Sequence, residues 1–269
     1  MIADRPRVEE LSSLLELARR AASSAAALHR SALEERSFKV YSKTSSSDLV
    51  TEIDREAERR LVDVIRTARP NDEIAGEEGA NFPGDSGVRW ILDPLDGTTN
   101  FVHGYPAHSV AVGIEIGGQR MIGVVHDTFS NRVYSGIVGQ GASCDGEPIV
   151  ARDESELALA LIGTGFLAYP DVRRAQADVL RVILPQVRDI RRSGCPSLDI
   201  CAVASGSLDG FYEAGLGEWD IAAGAAIAEA AGATVLMLDS KLLPTPLLVV
   251  ANSKLAVALV AALTEAGAV

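Results

Sequence analysis

The stretch Asp93-Pro94-Leu95-Asp96-Gly97-Thr98-Thr99-Asn100-Phe101 sets two aspartates around a proline, then adds a glycine and two hydroxyls. Gly76-Glu77-Glu78 lies upstream of it. Glu218-Trp219-Asp220-Ile221 lies far downstream, opening an Ala/Gly-rich segment. Carboxylates, carbonyls and waters are the ligands of hard divalent ions such as magnesium. The Pro94 ring fixes its own backbone torsion, which helps aim Asp93 and Asp96 at one point and exposes nearby carbonyls. Gly97-Thr98-Thr99 is then predicted to open a helix. Free N–H groups at a helix start bind anions, phosphate above all, and Gly97 lets the backbone come close. The stretch therefore predicts a cradle for cations and phosphate at the end of a strand.

Each of these residues also has a plainer use. A bare Asp-Pro-x-Asp more often caps a turn than binds a metal. Gly97 to Asn100 and the upstream Gly76-Glu77-Glu78 tip the balance toward the cradle. Asp220 alone reads as a helix N-cap, and Thr98 alone as a helix-start hydroxyl. His103 and Trp219 read as packing residues. No Ser/His/Asp or Cys/His set for covalent catalysis stands out.

The elements that must position these groups can be read from periodicity. Leu11, Leu14, Leu15, Ala18, Ala22, Ala25 and Leu28 recur at helical spacing, which predicts a helix over 8–34. Residues 36–47 are polar and serine-rich and read as a loop. A second helix is predicted from about Asp48 to Ala68, with Pro70 just past its end. An apolar run, 88–92, reads as a buried strand. Runs at 110–116, 121–126 and 133–138 predict an antiparallel meander, and 142–150 a hairpin around Asp145-Gly146. The charged segment 151–156 is the expected internal boundary. Beyond it the pattern alternates: strand 157–165, helix 171–187, strand 189–193, helix 197–205, strand 208–213, helix 220–231, strands 233–238 and 247–251, helix 253–266. This order predicts stacked layers of helix and sheet.

Composition limits the function. The 269 residues carry a formal net charge of -12, which disfavours an electrostatic grip on nucleic acid or an anionic membrane. An acidic protein that handles anions needs cations to do it. The three cysteines, Cys144, Cys195 and Cys201, form no disulfide framework, and no Cys or His pair has zinc-ligand spacing. A reducing compartment fits. No apolar run is long enough to span a membrane and the N-terminus lacks a hydrophobic signal core, so the expected location is the cytoplasm.

Three blocks in order, Gly76-Glu77-Glu78, Trp90 through His103 and Trp219-Asp220-Ile221-Ala222-Ala223-Gly224, resemble the inositol monophosphatase family of lithium-sensitive, magnesium-dependent phosphomonoesterases. The likeness runs from Lys43 through Asp48-Leu49-Val50-Thr51-Glu52-Ile53-Asp54 to the closing helix. It implies a five-layer α/β/α/β/α sandwich, homodimeric, with an N-terminal part (1–153) and a C-terminal part (154–269). It implies two or three magnesium ions per site. Glu77, Asp93 and the Leu95 carbonyl would hold the first, and Asp93, Asp96 and Asp220 the second, with a weaker third near Glu77. Glu77 and Thr98 would orient the attacking water, Asp54 would polarise the Thr98 hydroxyl, and Gly97 and Thr98 would offer amides to the phosphate. Lys43 would lie on a mobile loop over the site. Glu213 matches the family's substrate-hydroxyl ligand.

The chain also departs from the family pattern. Gly194-Cys195-Pro196-Ser197 stands where relatives carry Gly-Ser/Thr-Ala or a similar run, on the segment bordering the alcohol half of the substrate. Cys195 brings a weaker hydrogen-bonding group and Pro196 lacks an N–H. One reading is packing alone; the other is a pocket less selective for inositol, with Cys195 and Pro196 as substrate-side residues. The link 238–245 is shorter than usual and lacks a glycine. The implied substrate is a small phosphate ester, foremost inositol monophosphate. Histidinol phosphate, fructose 1,6-bisphosphate and nucleotide 3'-phosphates are rivals within the class. A regulatory or scaffold protein that keeps the fold is a rival outside it.

Overall fold

A computed structural model describes residues 7–35, 38–42 and 49–269. Lys43 and Asp48 lie outside the described residues.

Helix α1, Val8–Glu35, buries Leu11, Leu14, Ala18, Ala22 and Ala25 along one stripe. Strands β1, Val40–Ser42, and β2, Leu49–Thr51, pair antiparallel, so part of the expected loop is strand. Helix α2 is Glu52–Ala68 and starts later than its apolar periodicity suggests. Thr51 is the reason. Its backbone is extended and its Oγ1 accepts from the amides of Ile53 and Asp54, while the Asp54 carboxylate accepts from the Thr51 amide. This reciprocal cap fixes where the helix can begin.

Strands β3, Glu73–Gly76, β4, Asn81–Phe82, and β5, Val88–Asp96, follow, then the short helix α3, Thr98–His103. Strands β6, Ser109–Ile116, β7, Gln119–Asp127, β8, Arg132–Ile137, β9, Gly141–Cys144, and β10, Glu147–Ile149, complete the predicted meander and hairpin. The C-terminal part contains β11, Leu161–Thr164, α4, Pro170–Ile183, β12, Asp189–Arg191, α5, Pro196–Ala204, β13, Gly210–Ala214, α6, Glu218–Ala230, β14, Thr234–Leu238, β15, Leu247–Ala251, and α7, Ser253–Glu265. Two expected elements are shorter than read. A 3-10 turn, Leu157–Leu159, precedes β11. Helix α4 gives way to another, Leu184–Gln186, because Pro185 cannot donate into the helical ladder.

The larger sheet has the order β10-β9-β8-β7-β6-β5-β3-β4 and is antiparallel except for β3 beside β5. The smaller has the order β12-β11-β13-β15-β14, with β11 parallel to both β12 and β13. Helices α1 and α2 cover one face of the large sheet. Helices α5 and α6 lie between the sheets, and one apolar cluster joins Ala111 and Val125 of the large sheet to Phe211 and Val250 of the small one. Helices α4 and α7 cover the outer face of the small sheet. The layers thus run α/β/α/β/α, as expected.

Three glycines let the central layer approach the backbone of the large sheet. Gly113, Gly123 and Gly136 are cross-strand partners on β6, β7 and β8. A Cβ on Gly123 would stand 2.0 Å from the Ala223 carbonyl oxygen, and one on Gly113 would stand 2.6 Å from the Ala222 Cβ. The row of glycines forms a trough, and the alanines of α6 fill it. Helix α6 begins at Glu218 and carries Asp220 in its first turn, so this trough sets the height of Asp220. Gly123→Val is expected to destabilise the fold by on the order of 3 kcal/mol through overpacking. Chemical denaturation measures it; a loss below about 1 kcal/mol would mean that α6 does not need the trough.

Candidate active site

Asp93 and Asp96 would point to opposite faces of a regular strand, because side chains alternate with a period of two. The register of β5 resolves this. Asp93 pairs with Ala111 and Asp96 with Ser109, so the two aspartates span one residue more on β5 than their partners span on β6. A bulge at Pro94-Leu95 absorbs the extra residue and turns both carboxylates to one side. The Asp93 Oδ1 accepts the Leu95 amide at 3.0 Å and holds the bulge. Asp220 arrives from α6. Carboxylate oxygens of Asp93, Asp96 and Asp220 all lie within 4.8 Å of one another. Asp220 also braces the start of its helix, its Oδ2 accepting the Gly217 amide at 2.6 Å. The plain reading is thus corrected: Gly217 is the N-cap, and Asp220 supports it from the third helical position.

Glu77 stands beside this group and close enough to act on Asp93. Its amide donates to the Leu92 carbonyl at 3.1 Å, tying the Gly76-Glu77-Glu78 turn to β5. The turn is also held from below by a residue the sequence reading passed over. Glu58, on α2, accepts the amides of Glu78 at 2.9 Å and Ala80 at 2.8 Å. Its signal was a charged residue on the buried stripe of α2, next to Ala57 and Leu61.

Thr98 opens α3. Its hydroxyl lies 3.0 Å from both the Asp54 Oδ1 and the Leu95 carbonyl. Asp54 is fully buried, and its other oxygen accepts the amide and hydroxyl of Thr51 at 2.8 and 2.6 Å. Gly97 precedes Thr98 with φ 85°, and a Cβ there would lie 2.8 Å from the Ala107 carbonyl oxygen. No other residue fits without strain.

The electrostatics favour a bound cation. Burial, then the charges of Glu77, Asp96 and Asp220, push the Asp93 carboxyl well above the ordinary range. Burial raises Asp96 as well, against the pull of its donors Cys195 and Ser197. Burial also raises Asp54, against the hydrogen bonds from Thr51 and Thr98. Buried carboxylates in mutual contact need protons or a metal ion to balance them. The clustered donors are all oxygens, which suits a hard divalent ion of the magnesium type.

Cys195 is not on the substrate side. It is fully buried, and its thiol donates to the Asp96 Oδ2 at 3.0 Å. The same oxygen accepts the Ser197 amide at 2.8 Å and the Ser197 hydroxyl at 2.5 Å, and Ser109 lies 2.8 Å behind Ser197. The expectation of a thiol facing the alcohol is thus corrected: the segment 195–197 grips Asp96 from behind. Pro196 is half-buried at the first position of α5. Ser197→Ala is expected to lower affinity for a divalent cation by about 10- to 100-fold, the usual cost of losing an outer support of a ligand. Cys195→Ala should lower it less, since a thiol is a weak donor. Calorimetric titration of the cation decides this, and unchanged affinity in Ser197→Ala would remove the serine from that role.

Glu77, Gly97 and Thr98 line a cleft of about 770 Å³. His103 lines it too and is exposed, contrary to its reading as a packing residue. Glu213 does not line this cleft. It sits deeper, in a narrow cavity against Gly165 and Phe166, and Phe166 lines both spaces. A Cβ on Gly165 would come within 2.1 Å of the Glu213 carboxylate. Arg173 and Arg192 line the main cleft and did not stand out in the sequence.

Comparison with known proteins bears on the family and the fold. The inositol monophosphatase family matches over residues 10–268. Inositol-1-monophosphatase SuhB of Mycobacterium tuberculosis is 44% identical over 208 residues, covering 74% of this chain and 71% of the relative. A Pasteurella multocida protein named Nus factor SuhB is 35% identical over 227 residues, covering 84% and 85%. The crystal structure of the extragenic suppressor protein suhB from Bartonella henselae superposes with a TM-score of 0.88 at 29% identity, covering 94% of this chain and 99% of that one. A bulged pair of aspartates, a third from α6 and a family match along nearly the whole chain lead to one statement: this protein belongs to the inositol monophosphatase family.

Proposed function

We propose that the protein is a magnesium-dependent phosphomonoesterase for small phosphate esters, with inositol monophosphate the foremost substrate. The observation that carries this reading is the convergence of Asp93, Asp96 and Asp220 beside a cleft that also holds Glu77 and Thr98. In the reaction a water oxygen bonds to phosphorus, the ester P–O bond breaks, and the departing alcohol oxygen takes a proton. Glu77, Asp93 and the Leu95 carbonyl, with Asp96 and Asp220, would hold two or three magnesium ions. Bound there, the ions would neutralise phosphate charge and acidify water.

The chain's own residues supply the positioning. The Thr98 hydroxyl has the buried Asp54 carboxylate and the Leu95 carbonyl as acceptors for its one proton; with the proton on the Asp54 side, its oxygen lone pairs are available to accept from the attacking water. Glu77 is the second group that orients this water. Gly97 and Thr98 offer backbone amides to the phosphate. Positioning and charge neutralisation are what phosphoryl transfer chiefly requires. The expected assembly is a homodimer. No helix among the described residues is long and apolar enough to cross a membrane, which is compatible with a cytoplasmic enzyme.

A second reading is a partner role without catalysis, and the relatives named Nus factor SuhB favour it. Against it stands the full set of candidate metal carboxylates in this chain. One experiment separates the two: phosphate release from inositol 1-phosphate, histidinol phosphate, fructose 1,6-bisphosphate and a nucleotide 3'-phosphate, with and without magnesium. Magnesium-dependent release supports the hydrolase. No release from any ester at saturating magnesium would leave the partner role.

A further inference from the structure

A phosphate group alone does not need this cleft. Its volume, about 770 Å³, falls in the range that encloses a whole small molecule. Its lining carries both signs of charge. Glu77 borders it and acts on the buried Asp93. Arg173 on α4 and Arg192 after β12 contribute the cations, and Phe166, Leu167 and Leu180 form an apolar wall.

The Arg173 guanidinium is held in place. The Arg173 Nε donates to the Leu167 carbonyl at 2.6 Å, which fixes the plane of the group and leaves its two terminal nitrogens as a fork. Arg192 lies across Gly194, where an added Cβ would come 2.4 Å from its Nη1. Gly194 has φ 87°, a turn that favours glycine, and its missing side chain leaves room for the guanidinium. The acidic residue in the first turn of α4, Asp171, is taken by Arg174 and leaves Arg173 to the cleft. A fixed guanidinium fork facing a cleft matches a carboxylate or phosphate. Arg192 has a second use, since its charge also offsets the buried carboxylates of Asp199 and Glu213. Arg173 is therefore the cleaner probe.

We propose that, beside inositol monophosphate, the cleft takes phosphate monoesters whose alcohol half carries a second anionic group, carboxylate or phosphate, and binds that anion by Arg173 with Arg192, ahead of the matched neutral ester. This rests on the hydrolase reading above. The scissile phosphate would lie against Thr98, the carbon skeleton against Phe166 and Leu180, and the second anion on the guanidiniums.

The test is kcat/KM for phosphate release by the full chain at saturating magnesium, on two matched pairs. Glycerol 3-phosphate against 3-phosphoglycerate adds a carboxylate. Glucose 6-phosphate against glucose 1,6-bisphosphate adds a phosphate, and a preference there counts only above the factor of about two that a second scissile group gives. The expected preference for the anionic member is about tenfold or more in at least one pair, expressed in KM. The pair that shows it identifies the anion. Arg173→Glu should abolish the preference and Arg173→Lys should keep most of it. The ratio within one variant is insensitive to the fraction folded. Equal kcat/KM within both pairs, or a preference unchanged in both Arg173→Glu and Arg192→Glu, overturns the proposal while the hydrolase stands. No release from any of the four esters, or from those of the preceding panel, removes the hydrolase reading and this one together.

Discussion

Stripping divalent cations is expected to lower phosphate release by at least about a thousandfold, and Asp93→Asn is expected to do nearly the same. The reason is the charge held at the end of β5. Burial first, and then the charges of Glu77, Asp96 and Asp220, push the Asp93 carboxyl well above the ordinary range. A dianionic ester approaching this group without a cation would meet only negative charge. Stability gives a readout independent of turnover. A carboxyl whose folded pKa is raised adds stability below its unfolded value, and that stability is lost as pH rises through the folded value. The cation-free protein should therefore weaken as pH rises above the ordinary carboxylate range, and magnesium should reverse the loss. A hundredfold excess over Kd adds about 2.7 kcal/mol. Asp93→Asn removes the repulsion at constant size, so its cation-free form should be at least as stable at pH 8 as the natural one, and should gain little from magnesium. Substantial turnover in excess chelator, or a full magnesium-induced rise in Tm for Asp93→Asn, would sink the assignment.

The part of the site that was legible in the sequence is the part built from neighbours. Asp93, Asp96, Gly97 and Thr98 lie on one strand end and one helix start, and the chemistry of that segment can be read without knowing the fold. Asp220 was legible only through the family likeness, because a helix-capping aspartate looks the same with or without a metal. What stayed hidden depends on contacts between distant segments. The bulge that aligns Asp93 with Asp96 is a property of the pairing with β6. The grip of Ser197 on Asp96 joins residues 101 positions apart. Cys195 shows what a local reading leaves open. A thiol in place of a hydroxyl is read either as packing alone or as a change in the substrate pocket, and the chain turns it inward, where it supports a carboxylate. The helices and strands were read well where one face is apolar, as in α1 and the β6–β8 meander. They were read poorly at 49–51, where a side-chain cap on Thr51 outweighs the helical periodicity.

Acidification is expected to reveal the second large effect, in the apolar packing behind the segment that carries the aspartates. His29 lies on α1, is fully buried, and packs against Phe101 with ring centroids 5.5 Å apart. Neither of its ring nitrogens has a formed hydrogen bond. Burial, then the neighbouring charges of His108, His126 and Arg30, lower its pKa from 6.5 to about 3, and the Pro94 backbone opposes them only slightly. The folded protein therefore keeps this ring neutral while the unfolded chain protonates it. Between these two values the unfolded state holds one more proton, so stability falls by about 1.4 kcal/mol for each unit of acidification. Over the whole window the loss is on the order of 5 kcal/mol, comparable with the total stability of an ordinary domain. Raised carboxylates such as Asp93 and Glu213 act in the opposite direction, so the natural protein alone gives an ambiguous curve. His29→Leu separates them, because it removes the titration and keeps an apolar side chain of similar bulk. Urea denaturation of both proteins at pH 7, 6 and 5 should show the variant gaining on the natural protein, with the gap growing toward about 1.4 kcal/mol per unit below pH 6. Stability curves that run parallel across that range would show that His29 carries no proton on unfolding, and the buried ring would then be a packing residue alone.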